Sequence, residues 1–176
     1  MPQNIYYGHK NVKVTFQPNI GLDATVRQSV IDILNLLLAD EAVLSFKTHK
    51  AEGNTGGTDA PELVSLYGAQ YKQINSVSNE IMERVQIMGG MHLRGFKVLL
   101  EHARLGVDLN VDPSPLIILA DHEAYIRFLR EDAQKCSDLF EDQGTFALLV
   151  NILRIHEKMA WSLRKNIAPD QFDQGN

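Results

Sequence analysis

Apolar residues recur along this chain at three- and four-residue steps. Val26, Val30, Ile33, Leu34, Leu37, Leu38, Glu41 and Leu44 share one face of a helix. The spacing predicts a helix from a capping Asp23 to about Glu52, stopped by Gly53, Gly56 and Gly57. Leu63, Leu66, Tyr67, Ile74, Val77, Ile81, Val85 and Met88 form a second stripe, opened by Asp59-Ala60-Pro61-Glu62 and closed by Gly89-Gly90. Asp112-Pro113-Ser114-Pro115 opens a third helix with Ile118, His122, Tyr125, Ile126, Leu129, Ala133 and Cys136 on its inner face, ending near Phe140. After the turn Glu141-Asp142-Gln143-Gly144, a fourth carries Phe146, Leu149, Val150, Ile152, Leu153, Ile155, Met159 and Leu163 to about Asn166.

Residues 91–111 read as a connection with a short helix over Phe96 to His102. Its length lets the chain cross the bundle, so that the second and third long helices run parallel. The prediction is an all-α, ferritin-like four-helix bundle with a short extra helix in the crossover between helices 2 and 3. The expected organisation is an N-terminal arm over 1–20, the bundle over 21–167 and a tail over 168–176. In the arm, Val12, Val14 and Phe16 alternate with polar residues, which suits one short strand or a tail lying on a neighbour. His9, Lys10 and Lys13 make it weakly basic.

Composition narrows the function classes. At 176 residues, with 44% hydrophobic and 22% charged, one globular domain is expected. A net charge of −5 gives no overall attraction to nucleic acid. The single Cys136 excludes an internal disulfide framework and suits a reducing cytosol. No apolar run reaches membrane-spanning length, and no signal-peptide pattern opens the sequence, so a cytoplasmic location is expected.

Several ordered segments together resemble the Dps mini-ferritins (DNA-binding proteins from starved cells). They are Asn35-Leu36-Leu37-Leu38-Ala39-Asp40-Glu41-Ala42-Val43-Leu44 with Lys47-Thr48, Met82-Glu83-Arg84 closing at Gly89-Gly90, His122-Glu123, Arg130-Glu131-Asp132, and His156 through Arg164. The resemblance covers roughly residues 20–167 and implies a shell of twelve identical subunits. Such a shell takes in ferrous iron, oxidises it, commonly with hydrogen peroxide, and stores ferric mineral; some members also coat DNA.

The resemblance places the oxidation site between two subunits, and here its ligands have changed. The family's first histidine falls on Glu52, the second on Val64 and the neighbouring aspartate on Gly68. From the facing subunit, the aspartate falls on Asn79 and the glutamate on Glu83, the one residue retained. His49 precedes Glu52 by one turn and is a candidate replacement. The candidate metal ligands are therefore His49, Glu52, Asn79 and Glu83, with Glu52 and Glu83 as the catalytic carboxylates. The expected ion is iron, with zinc as a substitute.

Glu-x-x-His pairs, which build a di-iron site inside a bundle, are missing from the four long helices. His122 and His156 read as buried, hydrogen-bonded histidines, Cys136 and the methionines Met82, Met88, Met91 and Met159 as core, and Trp161 as a packing residue. Asp138, Glu141 and Asp142 lie where such shells have cation pores at three-fold axes. Two lysines in the arm and an acidic tail argue against strong DNA binding. The sequence thus leads to an iron-oxidising, iron-storing cage with an altered site, against a shell that binds metal or partners without oxidising iron.

Overall fold

The computed structural model describes residues 3–7, 10–14, 16–56, 60–108 and 110–167. Asp59 of the expected capping box and the tail from residue 168 lie outside them. The chain opens with an antiparallel hairpin of β1 (Gln3–Tyr7) and β2 (Lys10–Val14), Ile5 opposite Val12. The arm therefore holds two strands where alternation suggested at most one. Among the described residues, five helices follow: α1 (Ala24–Asn54), α2 (Ala60–Ile87), α3 (Phe96–His102), α4 (Pro115–Asp138) and α5 (Gln143–Lys165).

Local chemistry explains the ends. Pro115 occupies the first turn of α4, where its missing N–H is harmless, and the Ser114 hydroxyl accepts from the Ile117 N–H. Asp142 caps α5 by accepting from the Thr145 N–H. Beyond α2, Gly89 takes φ +84°, a conformation that disfavours side chains. Asp23 stands at the start of α1 without a side-chain capping bond; its carbonyl accepts from Arg27 N–H at 2.9 Å instead.

Cross-helix pairs fix the directions. Ser45 meets Asn75, and Asn35 meets Met91, so α1 and α2 run antiparallel. Lys47 reaches Asp121 at 2.7 Å, and the Tyr125 hydroxyl reaches the Leu37 carbonyl, so α4 is antiparallel to α1 and parallel to α2. Glu123 pairs with Arg164, and Arg130 with Glu157, which sets α5 antiparallel to α4. Leu34, Leu37 and Leu44, Ile74 and Ile81, Leu129, and Leu149 and Ile152 fill the centre from all four long helices. Each such side chain contributes about 1.5–3 kcal/mol of burial.

The crossover is held by charge. Arg104 donates its backbone N–H and its Nε to Asp40 at 2.7 and 2.8 Å, and Nη1 to Asp132 at 2.8 Å. Leu105 N–H adds a third bond to Asp40 at 3.0 Å. Burial pushes the Asp40 pKa up against the opposing pull of Arg104 and these amides.

Candidate metal centre

The sequence candidates sit at two places on the outer face of α1 and α2. Near the end of α1, the His49 ring stacks on Tyr71 with centroids 4.7 Å apart. Its Nδ1 lies 3.4 Å from Glu52 Oε2. Both side chains keep access to solvent, 66% for His49 and 31% for Glu52. The Glu52 carboxylate leans onto α2 at Gly68, where a Cβ would stand 2.7 Å from Oε1. Glycine at 68 is what leaves room for it.

Asn79 and Glu83 share one face of α2, four residues apart, and both are exposed. Gly68 precedes Asn79 by eleven residues, about 16 Å along the helix at ~1.5 Å per residue. One chain therefore does not bring the two pairs together. Among the described residues, no three His, Cys, Asp or Glu side chains converge on a metal position. Between the pairs runs an open apolar groove of about 360 Å³, lined by Leu38, Phe46 and His49 from α1, Tyr71 and Met82 from α2, and Phe96 from α3.

The donor types suit iron: imidazole nitrogen from His49 and carboxylate oxygens from Glu52 and Glu83. Asn79 offers a neutral oxygen, and Val64 and Gly68 have no side-chain donor.

The acidic turn between α4 and α5 divides in two. Asp138 and Glu141 are exposed. Asp142 is committed to the fold: it is 3% exposed and binds Arg84 Nη2 at 2.9 Å and the Thr145 N–H at 3.0 Å. Burial pushes its pKa up, but the Thr145 bonds and Arg84 outweigh that and leave it below the usual carboxylate value.

The bundle centre holds polar groups that no motif announced as a set. Glu41, His122 and His156 are each 0% exposed. His122 Nδ1 lies 3.0 Å from His156 Nδ1, so both histidines are buried and in contact, as their positions on apolar faces suggest. His156 Nε2 approaches Glu41 Oε1 to 2.9 Å, close but outside hydrogen-bond alignment. Tyr125 stands edge-on to His156, with centroids 4.7 Å apart. Glu41 and His122 already fell on the inner stripes of their helices; their convergence with His156 needed the tertiary fold.

Cys136 is buried, its thiol pushed up to about 12 by burial and then by Asp142 and Asp132. Two packing expectations are corrected. Trp161 is 55% exposed, with Lys165 Nζ 3.7 Å above its ring, and Met91 is 77% exposed. Trp161 lies on α5 outside its buried face, and Met91 lies in the connection between α2 and α3.

Comparison with known proteins places the chain. The profile of the ferritin-like domain matches residues 31–170. The chain belongs to the ferritin-like family. Within it, it is a mini-ferritin of the Dps type. It is 35% identical over 153 residues to an uncharacterized low temperature-induced protein of Nostoc sp., covering 85% of this chain and 86% of the relative. A nutrient stress-induced DNA-binding protein of Nostoc sp. is 28% identical over 158 residues, covering 88% and 85%. The Dps protein of Vibrio cholerae O1, described as one of a broad superfamily of ferritin-like diiron-carboxylate proteins, superposes with a TM-score of 0.78. It is 22% identical over 88% of this chain and 98% of its own. The fold of this mini-ferritin is thus the Dps bundle, and the family is one of iron-binding and iron-storing proteins. No described helix is long and apolar enough to cross a membrane.

Proposed function

We propose that this mini-ferritin assembles into a shell of twelve identical subunits in the cytoplasm and handles ferrous iron at the contact between two of them. His49 and Glu52 of one copy face Asn79 and Glu83 of the next. The apolar groove on α1, α2 and α3 is the surface the two copies share, since an open apolar hollow of this kind is costly to leave in water. Two ferrous ions bound there each lose one electron. Hydrogen peroxide accepts both with two protons and leaves as two waters; the ferric product is stored inside. The role of the carboxylates is to hold the ions and to stabilise the higher charge after oxidation.

The observation that carries this reading is the place of the Glu52 carboxylate. The resemblance puts an aspartate at position 68, and Glu52 Oε1 lies 2.7 Å from where the Cβ of a side chain at 68 would stand. An oxygen donor is thus delivered to that spot from α1 instead of α2. Asp138 and Glu141, the exposed members of the acidic turn, are the residues offered to cations at a three-fold pore.

Ferrous oxidation by oxygen or peroxide, followed by the ferric absorbance, tests the proposal. The wild-type shell should exceed the protein-free rate, and Glu52→Ala and Glu83→Ala should fall towards it while remaining assembled. A wild-type rate equal to the protein-free control defeats the enzymatic reading. A second reading, a shell that binds metal or partners without oxidising iron, is favoured by Val64 and Gly68, which leave fewer donors than two irons need. It predicts an assembled shell with little iron and no catalysed oxidation. DNA association is not expected; an absence of gel retardation at physiological salt checks that.

A further inference from the structure

The buried chain of Glu41 on α1, His156 on α5 and His122 on α4 lies away from the α1–α2 face. Its groups follow one another in a line instead of converging on a point, which makes it a poor metal cage and a good path for a proton. Two nitrogens 3.0 Å apart form a hydrogen bond only when a single proton lies between them. With a proton on each Nδ1, two N–H donors face each other and the bond is lost; when both rings also carry a proton on Nε2, two imidazolium charges repel across the same contact. One positive charge has a partner, because Glu41 Oε1 is 2.9 Å from His156 Nε2. A second has none: His122 Nε2 is buried with no hydrogen-bond acceptor.

We propose that Glu41, His156 and His122 form a proton-operated lock at the centre of the bundle, closed while His122 is neutral and opened when both imidazoles are protonated. Opening loosens α4 and α5 from α1 around these three groups, leaving the Tyr125–Leu37 and Lys47–Asp121 contacts to join α4 to α1. The surroundings offer no relief. On α1 the neighbouring acid is Asp40, already bound to Arg104 and two amides. On α4 the facing group is Tyr125, held protonated by burial and by the Glu41 and Asp40 charges, with Arg104 opposing. Among the described residues of α2, the buried polar side chains are Tyr67 and Gln70, neither of them an acid or a base near neutrality. Burial first, and then His156, hold the His122 pKa well below the usual histidine value of 6.5.

The sign follows. His122 is neutral in the fold, while the unfolded chain takes up its proton near 6.5. Stability from this group is complete above that value and lost as pH falls below it. Urea unfolding of the assembled protein from pH 8 to pH 5, at constant ionic strength, should show a plateau and then an unfolding constant rising up to about tenfold per pH unit. His122→Asn, which keeps an acceptor near the Nδ1 position but takes no proton, should remove most of that rise. Equal stability of wild type at pH 8 and 5, or an unchanged rise in His122→Asn, overturns the lock. If that variant does not fold, wild-type protein with ¹³C-labelled imidazoles decides. A His122 imidazole that gains its second proton only as the bundle melts supports the lock. Titration of His122 with the bundle intact overturns it.

Discussion

The bundle centre and the outer face of α1 and α2 treat the same kinds of side chain in opposite ways. In the centre, a glutamate and two histidines meet inside one chain, sealed from water by the leucines and isoleucines of four helices. On the face, a histidine and a glutamate stay open to solvent, with the other two candidates about 16 Å further along α2. The centre is finished by folding. In the proposed shell, the face is finished by a second copy. Changes in the centre should therefore register as stability, and changes on the face as iron chemistry.

The largest expected effect tests the interior. Asp40→Ala leaves Arg104 without its main partner and two amides without an acceptor. Removing one partner of a buried charge pair costs about 3–5 kcal/mol, read as a lower urea midpoint. Asp142→Ala removes the cap of α5 and the acceptor of Arg84, for about 2–3 kcal/mol. Because the folded Asp142 pKa is lowered, its contribution is present above 3.8 and disappears as pH falls through the folded value. The gap between wild type and this variant should close in strong acid.

The face should respond differently. Gly68→Ala improves helix propensity by about 0.5–1 kcal/mol, yet its Cβ displaces the Glu52 carboxylate. Stability should hold or rise while iron oxidation falls; a stable variant with full activity would separate Glu52 from the site. Glu83→Ala, at an exposed position, should change stability by less than about 0.5 kcal/mol. Its oxidation rate should nevertheless fall about tenfold or more, comparable to losses from disturbed metal shells. A large loss of stability with either substitution would erase the contrast between face and core.

How much of this was legible in the chain depends on the range of the physics. Glycine, proline and helical periodicity act locally, so α3 falls on Phe96 to His102 as expected and α2 stops just before Gly89. α4 ends at Asp138, short of Phe140, because an apolar residue at the end of a stripe does not by itself continue a helix. The Arg104–Asp40–Asp132 clasp joins three distant segments, and no spacing rule links them. Asp142 read as a pore carboxylate in an acidic turn, since the local composition hides the Arg84 that arrives from α2. The face was legible as a list of donors, with Gly68 an apparent loss. The fold adds that Glu52 leans into the room glycine leaves.

The claim that two copies make one iron site is tested most directly by anomalous diffraction from a crystal of the assembled protein soaked in ferrous iron. Iron should appear between His49 and Glu52 of one subunit and Asn79 and Glu83 of its neighbour. Iron held by residues of a single subunit, or no iron at that contact, would contradict it.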